Sequence, residues 1–247
     1  MEIVWGHNIS KIPEHKVRLI EDVLAWGTDQ ISNDYAPIGG WSMTGDLSRW
    51  EQRMLHLGEY VDDPIAILQA HVPFREAAIP TRAQMRNQFW WSLAGGAKAF
   101  FFEAAYNFNH FSNRGLLTWN LKPVSDGRFE ELQRLAGIVD KLQAMITDSR
   151  VASKDQAETL KVTLEKNGSL CGARVLHGSE NRKYLLLINN DLSGSTKVKF
   201  SLSGPPLLTD IVNVLNGKVL KKDAQDGLYS ISIDPGDAAC LVCTLRK

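Results

Sequence analysis

Glu103 closes an apolar run that starts at two glycines, GGAKAFFFE at residues 95–103. Such a run is typical of a strand buried on both faces, as in the parallel sheets of α/β proteins. A carboxylate at the carboxyl end of that strand lies where catalytic groups project. Beside Phe102 and Tyr106 its pKa would rise, which suits a general acid at neutral pH. The alternative is a buried glutamate that hydrogen-bonds a neighbouring strand or loop.

Asp34 is the second candidate for acid–base chemistry. It lies near the end of a strand predicted at residues 30–35. In a parallel sheet this strand end shares an edge with Glu103, so Asp34 could act as a partner carboxylate or bind a ligand hydroxyl. The alternative is that its side chain caps the turn into Ala36 and Pro37.

Six other residues are candidates for ligand binding. Gln69 and His71 alternate along a strand predicted at residues 65–71, so their side chains are expected to point the same way. The other four lie at or after predicted strand ends, where side chains can contact a ligand: Tyr35, Trp41, Tyr106 and His110. The alternative for the aromatic residues is that they fill the core. No third ligand at metal spacing accompanies His71 and no phosphate-binding loop is visible, so neither a metal nor a cofactor is expected.

The first 150 residues alternate between strand and helix patterns. Strands are predicted at residues 2–7, 30–35, 65–71 and 97–103, and helices at residues 13–25, 47–61, 81–94 and 127–146. Thr81 and Gln84 have the spacing of a capping box at the start of the third helix. Strands that alternate with helices predict a parallel sheet. Four such units are half of an eight-fold (β/α) barrel, which needs about 250 residues.

The remainder of the chain, residues 151–247, has the short alternating runs of an all-β domain. Strands are predicted at residues 160–164, 171–177, 183–188, 197–202, 210–214, 229–233 and 239–245, with turn residues between them. Asn216-Gly217 predicts a two-residue hairpin loop. All seven tryptophans precede residue 120. We therefore predict an α/β domain at residues 1–150 and an antiparallel β-sandwich at residues 151–247.

Composition limits the partners and the compartment. Lysine plus arginine and aspartate plus glutamate number 28 each, so the net charge gives no reason to expect nucleic acid or an anionic membrane as a partner. No long apolar span or secretory leader is visible, which predicts a cytoplasmic protein if Met1 is the true start. Three cysteines cannot all pair with one another, which favours buried thiols.

Several segments resemble the C-terminal part of glycoside hydrolases that have a TIM-barrel catalytic domain and a β-sandwich. Residues 29–38 (DQISNDYAPI) resemble the sixth barrel strand of such enzymes, and residues 64–71 (PIAILQAH) resemble the seventh. Residues 80–102 resemble the following helix and the eighth strand. Residues 184–190 (YLLLINN) and 235–239 (PGDAA) resemble the appended sandwich.

The chain departs from this family at the expected catalytic pair. In the large retaining clan, the resemblance implies a glutamate acid/base at the end of the fourth strand and a glutamate nucleophile at the end of the seventh. No fourth strand is recognised in this chain, and Gln69 occupies the end of the seventh. Retaining hydrolysis needs two carboxyl groups about 5 Å apart, and an amide can replace neither. The usual pair therefore cannot be carried over.

Two functions remain open. The resemblance implies a glycoside hydrolase-like protein that acts on carbohydrate, with Glu103 and Asp34 as acid/base candidates. The alternative is a non-catalytic carbohydrate-binding or assembly module built on a half barrel. The open strand edges could be completed by the rest of a longer enzyme or by a second copy in a homodimer, or they could be covered by the chain's own sandwich.

Overall fold

The computed structural model describes residues 32–34, 63–70, 79–103, 115–118, 120–151, 160–165 and 171–246. The chain divides into two compact units, residues 1–133 and residues 134–247. In the part of the chain that is described, neither helix has the length and apolar character needed to cross a bilayer.

A parallel sheet organises the first unit. Its strands β1 (Ser32–Asp34), β2 (Ile65–Gln69) and β3 (Ala99–Glu103) are hydrogen-bonded in that order. Helix α1 (Arg82–Ala94) lies between β2 and β3 in the chain, so the described residues contain one complete β-α-β unit. Strands β2 and β3 consist largely of apolar residues, as expected for a parallel sheet with helices against it, whereas β1 is polar.

Local signals at its two ends set the bounds of α1. The Thr81 hydroxyl accepts a hydrogen bond from the Gln84 backbone, and the Gln84 side chain accepts one from the Thr81 backbone, which confirms the predicted capping box. Gly95 and Gly96 end the helix, and Gly96 has a φ of 94°, which favours glycine. The ring of Phe89 lies 4.7 Å from that of Phe100, so α1 packs against β3.

Helix α2 (Arg128–Asp148) begins in the first unit and continues into the second. Its buried apolar residues recur at helical spacing and form one stripe: Leu135, Ile138, Leu142, Met145 and Ile146. Within the second unit the Met145 sulfur lies 3.0 Å from the Cys240 sulfur, so this stripe packs on a sheet of the second unit. The predicted boundary at residue 150 stays a prediction.

The second unit contains two antiparallel sheets. The strands are β4 (Lys161–Leu164), β5 (Cys171–His177), β6 (Arg182–Asn189), β7 (Thr196–Ser203), β8 (Ile211–Asn213), β9 (Val219–Leu220), β10 (Tyr229–Ile233) and β11 (Ala238–Thr244). One sheet has the order β10-β7-β4, and the other has the order β5-β6-β11-β8-β9. Apolar residues from both sheets form one core, among them Phe200, Leu185 and Leu241. The two sheets therefore form a sandwich.

Two details of the sandwich were not predicted correctly. Strand β9 was missed, and the hairpin that joins β8 to β9 is longer than the two-residue loop expected from Asn216-Gly217. The backbone N–H of Asn213 donates to the Lys218 carbonyl, so residues 214–217 form the loop. Gly217 has a φ of 70° there, which explains why this position suits glycine. All three cysteines are buried free thiols, as expected.

The predicted strand at residues 2–7 and the helices at residues 13–25 and 47–61 lie outside the described residues. The described part of the first unit contains three parallel strands, so the four repeated units of a half barrel stay a prediction. What is observed is a mixed α/β arrangement followed by antiparallel sheets.

Candidate functional site

Each of the three parallel strands ends on a carboxylate or an amide residue. These residues are Asp34 in β1, Gln69 in β2 and Glu103 in β3. Gln69 and Glu103 are register partners across β2 and β3, whereas Asp34 pairs with Ile67, two positions before the end of β2. Neighbouring strands lie about 4.8 Å apart. The backbone therefore brings three candidate residues to one edge of the sheet.

Only some of the predicted site residues lie within the described part of the chain. Asp34 and Glu103 are placed by their backbones, and Gln69 is placed with its side chain. Five candidates lie outside the described residues: Tyr35, Trp41, His71, Tyr106 and His110. The roles of all eight stay predictions.

Gln88 of α1 fixes the carboxyl end of β2. Its Oε1 accepts a hydrogen bond of 2.9 Å from the Gln69 backbone N–H, and its Nε2 donates one of 3.2 Å to the Gln69 carbonyl. Gln88 is fully buried, and Gln69 is only 1% exposed. A side-chain amide thus satisfies both backbone groups of the residue opposite Glu103, which makes this strand end rigid.

Arg128, at the start of α2, joins three segments at the same strand end. Its Nη1 donates 2.6 Å to the carbonyl of Ala70, the residue after β2, and its Nη2 donates 2.7 Å to the Gly115 carbonyl. Its Nε lies 2.6 Å from Asp126 Oδ2. The side chain is 2% exposed, so the guanidinium is buried but paired. It holds the chain after β2 against the chain after β3.

A second ion pair ties α1 to the start of α2. Arg86 Nε lies 3.5 Å from Glu131 Oε1, and Glu131 is 6% exposed. Gly127, just before α2, has a φ of 77°, and a Cβ there would lie 3.2 Å from Arg82. The segment that brings Arg128 to β2 therefore passes close to α1 at a position suited to glycine.

Phe101 of β3 is exposed, whereas the described side chains of the neighbouring strand β2 are buried. Ala66 and Leu68 of β2 are fully buried on the same face as Phe100, which contacts α1. Phe101 lies on the opposite face, because successive side chains alternate, and it is 54% exposed. A large aromatic ring is thus accessible on the face that would line the interior of a (β/α) barrel.

The contacts of Gln88 and Arg128 were not predicted from the sequence. Gln88 is a polar residue in a helix whose residues from Asn87 to Ala94 are all buried, so its polarity inside an apolar stretch was an available signal. Arg128 is a cation in the first turn of a helix, where the dipole disfavours positive charge. This unfavourable position indicates that Arg128 is held there by interactions with other segments of the chain.

The described residues place both proposed acid–base residues at this edge of the sheet. Glu103 provides one carboxyl group, and its partner in register is an amide. Asp34 is the other carboxylate at this edge, two positions lower in register and two strands away. Among the described residues no group of three histidine, cysteine, aspartate or glutamate side chains could hold a metal ion.

Three solved structures similar to this chain are glycoside hydrolases. An α-amylase from Anoxybacillus is 12% identical with a TM-score of 0.49, and the match covers 96% of this chain and 52% of that chain. A GH27 β-L-arabinopyranosidase from Geobacillus stearothermophilus, in complex with arabinose, is 8% identical with a TM-score of 0.49. The match covers 99% of this chain and 51% of that chain. An α-fucosidase from Thermotoga maritima is 11% identical with a TM-score of 0.43. The match covers 94% of this chain and 57% of that chain.

These likenesses are distant, and each match extends over nearly the whole chain. The chain spans about half the length of these three structures. No family model and no curated protein sequence matches the chain.

Proposed function

We propose that the chain is the C-terminal part of a glycoside hydrolase-like protein, and that the carboxyl edge of its parallel sheet contacts carbohydrate. The observation that carries this proposal is the position of Asp34, Gln69 and Glu103 at the ends of three neighbouring strands, with Gln69 and Glu103 in register. In parallel α/β proteins this edge is where substrates bind. Glu103 is the proposed general acid, and Asp34 is the proposed partner carboxylate.

Turnover of a panel of aryl glycosides tests this function. We expect Glu103→Gln to abolish turnover, since an amide cannot donate or accept the proton. Glu130→Gln is the matched control, because Glu130 is an exposed glutamate in the first turn of α2. Turnover that survives Glu103→Gln would remove Glu103 from the mechanism. No turnover by the unmodified chain would mean that it is not catalytic by itself.

A second candidate is a non-catalytic carbohydrate-binding or assembly module. Two observations favour it: Gln69 is an amide where retaining enzymes of this kind carry a carboxylate, and Phe101 is 54% exposed on the face opposite α1. In this case a second copy of the chain could pair with the open strand edges, which would complete the barrel and enclose that face. Native mass spectrometry tests this arrangement, and a strictly monomeric folded chain would exclude the homodimer.

A further inference from the structure

A cleft of about 150 Å³ opens in the sandwich beside the segment that follows β7. Its walls are mainly apolar and are formed by Leu160, Leu202, Pro205, Pro206 and Leu207. Three residues with polar groups also line it, Ser203, Lys222 and Tyr229. An apolar cleft with a few convergent polar groups is the usual form of a small-molecule site.

Tyr229 lines this cleft with its ring stacked against Phe200. Its side chain is 7% exposed, and its ring stacks on Phe200 with 5.4 Å between centroids and 26° between planes. Within the described residues no hydrogen bond reaches the hydroxyl. An oxygen of a ligand bound in the cleft could accept a hydrogen bond from this hydroxyl. Burial, followed by the charges of Cys243 and Asp210, raises the pKa of Tyr229, which keeps the hydroxyl a donor at neutral pH.

Lys222 adds a positive charge at the same place. Its ammonium lies 5.6 Å from the centroid of the Tyr229 ring, an attractive cation–π geometry. No carboxylate of the described residues forms an ion pair with it. A cation and a phenol donor thus line the same cleft, and a carboxylate bound there could accept hydrogen bonds from them.

The size of the cleft limits the rest of the ligand. The cleft measures about 150 Å³ and is open to solvent, so it has room for one six-membered ring. Proline and leucine walls suit the flat apolar faces of a six-membered ring, whether aromatic or the C–H face of a pyranose. We propose that this cleft binds one six-membered ring that carries a carboxylate group. Such a ring is either an acidic sugar or an aromatic acid, and the proposal does not depend on the function assigned to the parallel sheet.

Binding is tested by titrating the full chain with glucuronate, with benzoate and with neutral glucose while recording ¹H–¹⁵N NMR spectra. We expect at least one of the two acids to shift the amides of Ser203, Lys222 and Tyr229 with a Kd of about 1–10 mM. Glucose is expected to bind about tenfold more weakly or not at all, since it has no carboxylate for Lys222. Glucuronate alone would identify the ligand as an acidic sugar, and benzoate alone would identify it as an aromatic acid.

Variants decide whether the shifts come from this cleft. Tyr229→Phe keeps the ring and its stacking on Phe200, and Lys222→Gln changes an exposed side chain, so both are expected to fold. Each should weaken binding of the acid about 5- to 10-fold. Lys221→Gln is the matched control, because Lys221 is an exposed neighbour that does not line the cleft, and it should bind like the unmodified chain. No shift with either acid, equal binding of glucose, or binding unchanged in both variants would each overturn the proposal.

Discussion

Gln69 and Glu103 are register partners at the carboxyl ends of neighbouring parallel strands. Both backbone groups of Gln69 are hydrogen-bonded by the buried side chain of Gln88. The carbonyl of the next residue, Ala70, accepts from Arg128. The strand end that faces Glu103 is therefore fixed by two side chains from two helices, and its residue is an amide rather than a carboxylate.

Gln69→Glu should destabilise the first unit in a pH-dependent way. Gln69 is 1% exposed, so burial would raise the pKa of the new carboxyl group above its unfolded value. A group with a raised pKa in the folded state contributes stability at low pH that is lost as the pH rises. We expect the variant to unfold about 1–3 kcal/mol more easily than the unmodified chain at neutral pH and almost equally at about pH 4.

Urea unfolding monitored by tryptophan fluorescence measures this, because all seven tryptophans precede residue 120 and report on the first unit. Gln133→Glu, at an exposed position of α2, serves as the control and should change stability little. An equal loss of stability at both pH values would show that the environment of residue 69 does not disfavour charge.

Gln88→Leu should destabilise the first unit without changing the volume of the side chain greatly. The substitution leaves the N–H and the carbonyl of Gln69 buried without the hydrogen bonds that Gln88 provides. We expect a loss of about 2–4 kcal/mol, since each unsatisfied buried group costs about 1–3 kcal/mol. Gln133→Leu, at an exposed position, should cost less than about 0.5 kcal/mol. Equal effects of the two substitutions in urea unfolding would refute the proposed role of Gln88.

The sequence predicts the elements of this fold better than the contacts that fix the site. Strands β5 and β10 have the bounds that their alternating patterns predict, and α1 begins at the predicted capping box. Strand β9 has only two residues, which is too short to show a period. The contacts of Gln88 with Gln69 and of Arg128 with Ala70 join residues 19 and 58 positions apart, and no local pattern encodes such separations.

The residues of the candidate site could also be predicted from the sequence, whereas their contacts could not. Gln69 and Glu103 were identified because polar residues that end apolar strands are visible in the sequence. Asp34 was identified from its place near the end of a predicted strand, and the register places all three at one edge. The sequence does not show that Gln69 and Glu103 are partners in register, because this follows only from the pairing of β2 with β3. The partial exposure of Phe101 depends on what covers the sheet, which a strand pattern does not specify.

Asp148 should make the second unit sensitive to acid. Its carboxylate accepts hydrogen bonds from the Ser179 N–H at 2.9 Å, the Tyr184 hydroxyl at 2.8 Å and Arg182 Nη1 at 3.2 Å. Burial raises the pKa of Asp148, but the hydrogen bonds from Ser179 and Tyr184 and the charge of Arg182 outweigh it and lower the pKa from 3.8 to about 2. The stabilisation is therefore present above about pH 4 and is lost as the pH falls toward 2.

Asp148→Asn should remove this dependence and lower the stability at neutral pH by about 1–2 kcal/mol. Amide hydrogen exchange of β6 at neutral and acidic pH measures it, because Tyr184 and Arg182 belong to this strand. Asp140→Asn, at an exposed position of α2, is the control and should leave the acid response intact. An acid response in Asp148→Asn as large as in the unmodified chain would contradict the assignment.

Gly178 and Gly137 should respond in opposite ways to alanine. A Cβ at Gly178 would collide with the Asp148 carboxylate and lie 2.8 Å from Tyr184 Cε2, so the hydrogen-bonded cluster would have to move. We expect Gly178→Ala to cost about 1–3 kcal/mol. A Cβ at Gly137, on the exposed face of α2, meets nothing within 4 Å. Gly137→Ala should therefore stabilise by about 0.5–1 kcal/mol, because glycine in a helix loses more conformational freedom on folding.

Comparing Gly178→Ala with Gly137→Ala distinguishes the effect of steric conflict from that of backbone entropy, since both substitutions add a methyl group to the same unit. Hydrogen exchange of β6 should become faster in Gly178→Ala and no faster in Gly137→Ala. The double variant Gly178→Ala with Asp148→Ala should recover part of the packing cost, because the carboxylate nearest the added methyl group is gone. If Gly178→Ala were neutral, the contact between the β5–β6 turn and the end of α2 would have to be looser than this structure shows.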